Sequence, residues 1–553
     1  MAHSHAVTGD TTPQHALLTE LLAARGIAGE EAVARFLAPQ WERDTHDPAL
    51  LPDLERAATL IEEALAAGER LGLFCDYDAD GIPGGVLFRD TLRTLGAQDV
   101  EVYIPHRNNE GFGLSTDAVD SLAERGVSLL ITIDCGSANA AEVAHAHARG
   151  MRVVVTDHHH VPEQEPSADA FVNPNRPGSR YPNTALCGAG VAFKLAHALL
   201  SRAQVTPGRE KWLLDLVAIA TISDLVSLAE PENRALAYYG LIVLRKSRRP
   251  GLIHLCRKLG LSQRYLTEDD IGFSIAPRIN AASRMDSPEL AFDLLATTDE
   301  REAGELARTL DRLNNERKGV VAAMVRTVRG KLAGRASLNP VIVAGDPSWQ
   351  PSLVGLVAGS LMEEYQRPVF IWGRDGAGTL KGSVRAPAGS NIIALMEGLA
   401  QESLLEFGGH ACAGGFSISH ERIHTLEEEL SQALAAQGGG PEVLEPTPEL
   451  ALVPDATLRD VHALLERLAP FGVDNPKPLV RVADLRQVSV RRFGKGNEHL
   501  ELTITHRDGG ALKAIKFFAR DNPDPSAITE VVGHLELSRF AGKVELRLRL
   551  VAL

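Results

Sequence analysis

Two hydrophobic periods alternate along the first third of the chain. Short apolar runs, RLGLFCDY, VEVYIP, VSLLITIDCG and MRVVVTD, are separated by GVLFRDTLRTLG, DAVDSLAERG and AAEVAHAHARG, whose apolar residues recur three or four apart. The runs read as buried strands and the intervening segments as helices. Strands joined through helices imply right-handed βαβ units and a parallel sheet, in which ligands gather at the carboxyl ends of the strands. Ahead of this pattern, HALLTELLAARG and EEAVARFLAP predict short helices within residues 1–50. LERAATLIEEALAA predicts an amphipathic helix closed by Gly68.

From residue 186 to 330 the pattern becomes helical, through GVAFKLAHALL, KWLLDLVAIATISDLV, NRALAYYGLIVLRKS and a closing ERKGVVAAMVRTVRGKL. Strand and helix then alternate again: PVIVAGD, VGLVAGSLMEEY, RPVFIWG, TLKGSVRA, IIALMEGLA and CAGGFSIS. A Gly/Pro-bearing linker, GGGPEVLEPTPEL, leads to VRVADLRQVSVRRFG, HLELTITHR, ALKAIKFFAR and KVELRLRLVAL, which predict a small antiparallel barrel. The expected architecture is a multidomain α/β protein. It has an N-terminal helical segment (1–50), a parallel-sheet domain (51–240), a helical connector (241–334), a second α/β domain (335–436) and a C-terminal β-barrel (437–553).

Length and composition agree with several soluble domains. The 553 residues exceed what one core organises, and 44% hydrophobic with 23% charged residues excludes a disordered chain, a collagen or a coiled-coil rod. No apolar run approaches the roughly 18 residues of a membrane span. The opening MAHSHAVTGDTTPQH lacks the basic-then-apolar order of a secretory leader. Five scattered cysteines (Cys75, Cys135, Cys187, Cys256 and Cys412) without a CxxC argue for a reducing compartment and against a zinc ribbon, so a cytoplasmic location is expected. A net charge of −15 argues against a nucleic-acid binder, but its distribution reverses that reading. From Phe471 onward there are 14 Lys and Arg against 10 Asp and Glu, a local +4 that leaves −19 on the rest.

The candidate chemistry sits where the first domain's strands end. Asp76, Asp78 and Asp80 lie in CDYDADG, Asp134 ends ITIDCG, Asp157 to His160 end VVVTDHHH, and Asp224 lies in ATISDLV. Any one of these aspartates is equally well a helix cap, and His160 reads as a surface residue. Several carboxylates buried together are costly unless cations neutralise them. Hard oxygen ligands with one imidazole and no thiolate suit Mn²⁺ or Mg²⁺ better than zinc, and two ions sharing a carboxylate can activate a water against phosphorus.

DYDADG, TIDCG, TDHH and ATISDLV, in this order and spacing, resemble the four motifs of the DHH phosphoesterase superfamily. NEGFGLS, APRINAASRM, KGSVR, FGGHACAGGF and PFGVDNPKP make the resemblance one to RecJ-like single-strand-specific exonucleases, over about residues 50–553. The resemblance implies that 51–240 is a DHH catalytic domain, 335–436 a DHH-associated substrate-binding domain and 437–553 an OB-like domain. It implies that Asp78, Asp80, Asp134, His158 and Asp224 bind two Mn²⁺ ions, with Mg²⁺ as the alternative and Asp134 as the bridge. Asp157 and His159 lie behind them, Asp157 orienting an imidazole and His159 reaching the scissile phosphate. Asp76 or water completes a shell in which Phe74 stands where related pyrophosphatases carry histidine.

Glycines around His410, Gly409 among them, let a nucleotide approach the backbone, and the neighbouring Lys381, Ser383 and Arg385 supply polar contacts. By resemblance this domain captures the 5′ end. Arg107, Arg278, Asn280 and Arg284 are further phosphate candidates, against the alternative that some of the arginines form interdomain ion pairs. The implied activity is 5′-to-3′ hydrolysis of single-stranded DNA in repair and recombination, by a monomer that works with a helicase and a single-strand-binding protein. Phe493, Phe517, Phe518 and Phe540 are stacking candidates on the barrel, with Phe517 and Phe518 read instead as core. LRKSRRP (Arg245, Lys246, Arg248, Arg249) is a second basic patch, read as solvated or as touching DNA. The chain departs from the family at Gln350 and Ser360, where histidine and arginine are usual, and in SRFAGKVELRL. Two rival readings remain: a phosphodiesterase of short oligonucleotides or cyclic dinucleotides, and a catalytically weak DNA-binding scaffold.

Overall fold

The computed structural model describes residues 13–552 except 377, 401, 439–446, 456, 495–496, 508, 520–522 and 540–542. The chain divides into two compact units. One is built from Pro48–Asp224 and Val243–Leu444, the other from Met1–Asp47, Leu225–Ile242 and Glu445–Leu553.

The larger unit holds two sheets. In the first, β1 (Leu71–Cys75), β2 (Val100–Tyr103), β3 (Leu129–Ile133), β4 (Arg152–Thr156) and β5 (Ala170–Val172) run parallel in the order β2-β1-β3-β4-β5. β1 and β3 are buried at every residue, which is why their sequences are continuous apolar runs rather than alternating ones. The second sheet contains β6 (Ile342–Gly345), β7 (Val369–Arg374), β8 (Leu380–Arg385), β9 (Glu406–His410) and β10 (Ala413–Ile418), ordered β6-β7-β8-β10-β9. Only its β6–β7 pair is parallel; the remaining pairs are antiparallel. The glycines around His410 lie mostly in strands, because β9 and β10 pair as a hairpin. Between the sheets, the segment expected to close the helical region is the second half of a 34-residue helix, Glu300–Ala333. It buries Ala303, Ala307, Leu310 and Leu313 along one stripe, and Val325, Val328 and Leu332 near its end.

The smaller unit carries the third sheet: β11 (Leu450–Ala451), β12 (Val480–Val482), β13 (Leu485–Phe493), β14 (His499–His506), β15 (Ala511–Lys516), β16 (Val531–Ser538) and β17 (Glu545–Ala552). Their order is β11-β12-β16-β17-β15-β14-β13. The sheet is not purely antiparallel as expected, since β11–β12 and β15–β17 run parallel. Its core includes Leu18, Leu22, Val33 and Phe36 from the N-terminal helices. Arg234 is buried here over the Phe36 ring, 3.6 Å from its centroid, and donates to the carbonyls of Phe36, Leu468, Ala469 and Pro470. Contrary to the core reading, Phe517 and Phe518 are 42% and 73% exposed, and with Phe493 they surround the His499 ring. They fall in the turn after β15, which has no inner face to receive them. Phe540 and most of the Gly/Pro linker lie outside the described residues.

Asp44 in this unit is 2% exposed and accepts from Arg35 Nε, Arg43 Nη2 and the Gln40 N–H, each at 2.7 Å. Burial alone would raise its carboxyl, but these bonds, led by the one to Arg43, lower it from 3.8 to about 2. A lowered carboxylate stabilises the fold above its unfolded value and loses that contribution as pH falls through its folded one. Asp44→Asn is expected to cost about 1–2 kcal/mol at neutral pH and to flatten the loss of stability between about pH 4 and 2, as read by urea unfolding at each pH.

Candidate metal centre and substrate cleft

The strand order decides the site. β1, β3 and β4 are adjacent, and each is followed at its carboxyl end by acidic or imidazole residues: Asp76, Asp134, and Asp157 with His158. Asp80 is the N-cap of the helix Gly81–Thr94, and Asp224 ends the buried helix Leu214–Ser223. Asp134 sits at φ 64°, a left-handed conformation that a non-glycine residue holds only at a cost of about 1–3 kcal/mol.

The result is one cluster. His158 Nε2 lies 3.2 Å from Asp134 Oδ1, 3.7 Å from Asp80 Oδ2 and 3.8 Å from Asp224 Oδ2. Asp76, Asp78 and Asp134 form a second group and Asp134, His158 and His159 a third, the ligand atoms within each lying no more than 4.8 Å apart. Asp134 thus belongs to two groups and joins them.

The residues fit divalent cations. Among the described residues, Asp134 Oδ1 and Asp76 Oδ1 are buried without a hydrogen-bond partner, although His158 Nε2 is close to the former. Adjacent ligand atoms of an octahedral ion bound at about 2.1 Å are about 3 Å apart, which is this kind of spacing. Burial first, then the neighbouring carboxylates, push the carboxyls of Asp76, Asp80 and Asp134 upward, and that of Asp224 to about 9. Such mutual repulsion is what a cation removes. Among the described residues no cysteine joins these groups, so the donor set is oxygen and imidazole.

Backbone N–H groups hold the acids in place. Asp80 accepts from Gly188 N at 2.6 Å and Ala189 N at 2.7 Å, at the head of the helix Gly188–Arg202. Asp78 accepts from Asp80 N at 2.7 Å and Gly81 N at 3.2 Å. Asp157 accepts from Ser137 N at 2.9 Å, from His158 N at 2.7 Å, and from the His159 ring at 2.8 Å. The imidazole it orients is therefore that of His159. Burial opposes a charge on His159, but the bond to Asp157 and the surrounding carboxylates lift it to about 9. The exposed Phe112 meets this imidazole edge-on, centroids 5.2 Å apart.

Sequence reasoning missed Gly188. A Cβ there would stand 2.3 Å from Asp134 Oδ1, so only glycine lets this helix approach the acids. Its signal was the CGAG run opening an apolar helix, a place where glycine is otherwise unfavourable. Gly188→Ala is expected to weaken Mn²⁺ binding about tenfold or more, as measured by calorimetric titration.

Beside the acids lies a cleft of about 670 Å³ lined by Tyr77, Arg107, Arg284, Lys381, Ser383 and Arg385, among others. Arg107 lies over the Tyr77 ring at 4.5 Å. Arg284 donates to the Ser352 carbonyl and Arg385 to the Val384 carbonyl, while Lys381 pairs with Asp375 at 3.2 Å. Among the described residues, Arg107, Arg284 and Arg385 have no carboxylate within ion-pair distance. Burial, then Arg107 and Arg317, lower the Arg284 guanidinium to about 9; Arg317, a residue the sequence did not single out, thus belongs to this basic group. Gly355 also belongs here, since its Cβ would stand 3.3 Å from Arg385 and Ser383.

Other candidates are placed differently. Arg278 pairs with Asp311 at 3.1 Å and donates to the Ser274 carbonyl. Asn280 Oδ1 accepts from Ala79 N at 2.9 Å, bracing the acidic loop. Gly409 and His410 lie on β9, apart from the lining of this cleft. Gly409, at φ 139°, is required by β10, because its Cβ would meet the Ala413 carbonyl at 2.5 Å.

Comparison with known proteins follows the same three parts. Residues 70–221 match the DHH family N-terminal domain, 338–436 the DHHA1 domain and 449–552 the RecJ OB domain. The single-stranded-DNA-specific exonuclease RecJ of Bacillus subtilis is 36% identical over 95% of the chain, which spans 66% of that longer protein. The RecJ of Haemophilus influenzae is 32% identical, with 98% of this chain and 96% of that protein covered. The crystal structure of RecJ from Thermus thermophilus in complex with Mn²⁺ superposes with a TM-score of 0.78 at 32% identity, covering 98% of this chain and 75% of that one. The same protein with Mg²⁺ gives a TM-score of 0.74 at 30% identity, covering 98% and 74%. With its acidic cluster, its basic cleft and these relatives over nearly its whole length, the chain belongs to the RecJ family.

Proposed function

We propose that the chain is a metal-dependent exonuclease that removes nucleotides from the 5′ end of single-stranded DNA. The observation that carries this reading is a buried, mutually repelling carboxylate–imidazole cluster beside a cleft of guanidiniums that lack acidic partners among the described residues. The first calls for cations and the second for phosphate.

Asp78, Asp80, Asp134, His158 and Asp224 would hold two Mn²⁺ ions, with Asp134 as the residue common to both groups and Asp76 beside them. When bound, such ions lower the pKa of a water to supply a nucleophile near neutral pH and offset charge on the reacting phosphate. Gly188 and Ala189 fix Asp80, and Asp157 fixes His159, whose ring faces the scissile phosphate. Arg107, Arg284, Ser383 and Arg385 bind the terminal phosphate and orient the strand, with Lys381 at the rim. Arg278 and Asn280 position this machinery rather than touch DNA. The third sheet, with its local positive charge and its exposed Phe517 and Phe518, gives the strand a further hold. Among the described residues no helix is long and apolar enough to cross a membrane. A cytoplasmic monomer working in DNA repair and recombination, with a helicase and a single-strand-binding protein as partners, completes the reading.

The test is Mn²⁺-dependent degradation of end-labelled single- and double-stranded oligonucleotides, each end blocked in turn. Loss confined to single strands with a free 5′ end is expected, and loss from the 3′ end would overturn the polarity. Faster turnover of a dinucleotide than of a long strand would favour a short-substrate phosphodiesterase. Processing unchanged in Asp80→Ala would leave only a DNA-binding scaffold.

A further inference from the structure

A second, larger cleft of about 970 Å³ opens at the other end of the helix Gly81–Thr94. Asp80 caps the start of this helix at the acidic cluster, whereas Arg93, thirteen residues on, lines the second cleft. At 1.5 Å per residue the two sites are about 20 Å apart along the helix. Besides Arg93, the cleft is lined by Arg209, Trp212, Asp215, Arg248 and Arg249, among others.

Its charges do not cancel. The acids in the lining, Asp90 and Asp215, are both held by Arg249, at 2.8 and 3.1 Å, and Asp215 also accepts from Ser247 Oγ. Glu210, next to the lining, turns back to accept from Gly208 N. Arg93, Arg209 and Arg248 are exposed and, among the described residues, have no carboxylate within ion-pair distance. A surplus of guanidinium charge thus lines a concavity on a chain whose net charge is −15. Trp212, on the short 3₁₀ segment Glu210–Leu213, is 52% exposed in the same wall. A large indole left half in water costs apolar hydration. Beside unpaired guanidiniums it makes a surface with a stacking face and an anion-binding edge. The basic LRKSRRP run divides accordingly: Arg245 donates to the Leu266 carbonyl and Arg249 binds the acids, leaving Arg248 to the cleft.

We propose that this cleft binds a nucleotide unit, its base stacked on Trp212 and its phosphate neutralised by Arg93, Arg209 and Arg248. Stacking on an aromatic is tolerant of base identity, and a guanidinium meets phosphate oxygens in a planar fork. A free nucleoside monophosphate and a segment of DNA strand offer the same chemistry, and the experiment separates them.

The full-length protein is titrated in chelator, so that nothing is hydrolysed, with dAMP and separately with a long single-stranded oligonucleotide, following tryptophan fluorescence. Trp212→Phe isolates the Trp212 signal from those of Trp41, Trp349 and Trp372. Quenching by dAMP alone identifies a free-nucleotide site, and quenching only by the long strand identifies a strand-binding site; either supports the proposal. The double variant Arg209→Ala/Arg248→Ala is expected to weaken that binding about tenfold and to leave turnover of a dinucleotide unchanged, which also shows that it is folded. Quenching as strong in Trp212→Phe as in the wild type, an unchanged affinity of the Trp212-dependent signal in the double variant, or binding of an acidic peptide but neither nucleotide probe would overturn the site. Since binding is read without hydrolysis, failure here is distinguishable from failure of the exonuclease reading.

Discussion

Asp134→Asn is expected to slow Mn²⁺-dependent strand degradation by about a thousandfold or more, and at the same time to raise the stability of the protein in chelator. The two effects share one cause. Asp134 is buried, one of its oxygens has no hydrogen-bond partner, and burial followed by Asp80, Asp78, Asp76 and Asp224 pushes its carboxyl far upward. Without cations that arrangement is a liability, and a neutral amide of the same shape relieves it by about 1–3 kcal/mol. With cations the same carboxylate is the point where two ligand groups meet. Its loss removes several kcal/mol of charge stabilisation at the reacting phosphate, and each 1.36 kcal/mol is about tenfold in rate. Thermal unfolding with chelator and with Mn²⁺ separates the terms. Mn²⁺ should raise the wild-type midpoint by mass action and barely move the variant's. A variant that keeps both the Mn²⁺ shift and the activity would show that the ions lie elsewhere.

Removing Arg284 and Arg385 together is expected to lower kcat/KM on long single strands by about a hundred- to a thousandfold while leaving Mn²⁺ affinity unchanged. Charge-assisted hydrogen bonds are worth about 1.5–3 kcal/mol each, and among the described residues neither guanidinium has a carboxylate within ion-pair distance. Arg284 is held against two other guanidiniums and Arg385 is lowered by burial, so both are destabilised until an anion arrives. Arg284→Met should accordingly raise the melting temperature of the free protein. A role confined to packing would instead lower it and leave the salt dependence of substrate affinity unchanged, whereas loss of phosphate contacts flattens that dependence.

The acidic set was legible in the sequence because each member sits directly after an apolar strand or at a helix end, and carboxylates repeated in such places are costly to bury without cations. Support for those acids was not legible. Gly188 carries no charge to mark it, and its importance comes from how closely its helix approaches Asp134. The arginines show the limit most plainly. Arg278, Arg284 and Arg317 look alike along the chain, yet one is neutralised by Asp311, one is buried among guanidiniums, and one completes that group from the long helix. Whether a charge is spent on a neighbour or kept for a ligand depends on contacts tens or hundreds of residues away. The exposure of Phe517 and Phe518 and the hairpin that claims Gly409 have the same origin.

Sequence alone therefore determined the order of elements and the residue types at the strand ends, since hydrophobic period and local chemistry are properties of neighbouring residues. Tertiary structure decided that β1, β3 and β4 lie side by side, which arginines remain unneutralised, and that Trp212 opens onto a second basic cleft. Those are matters of burial and electrostatic pairing, and both are set only when distant segments exclude water together.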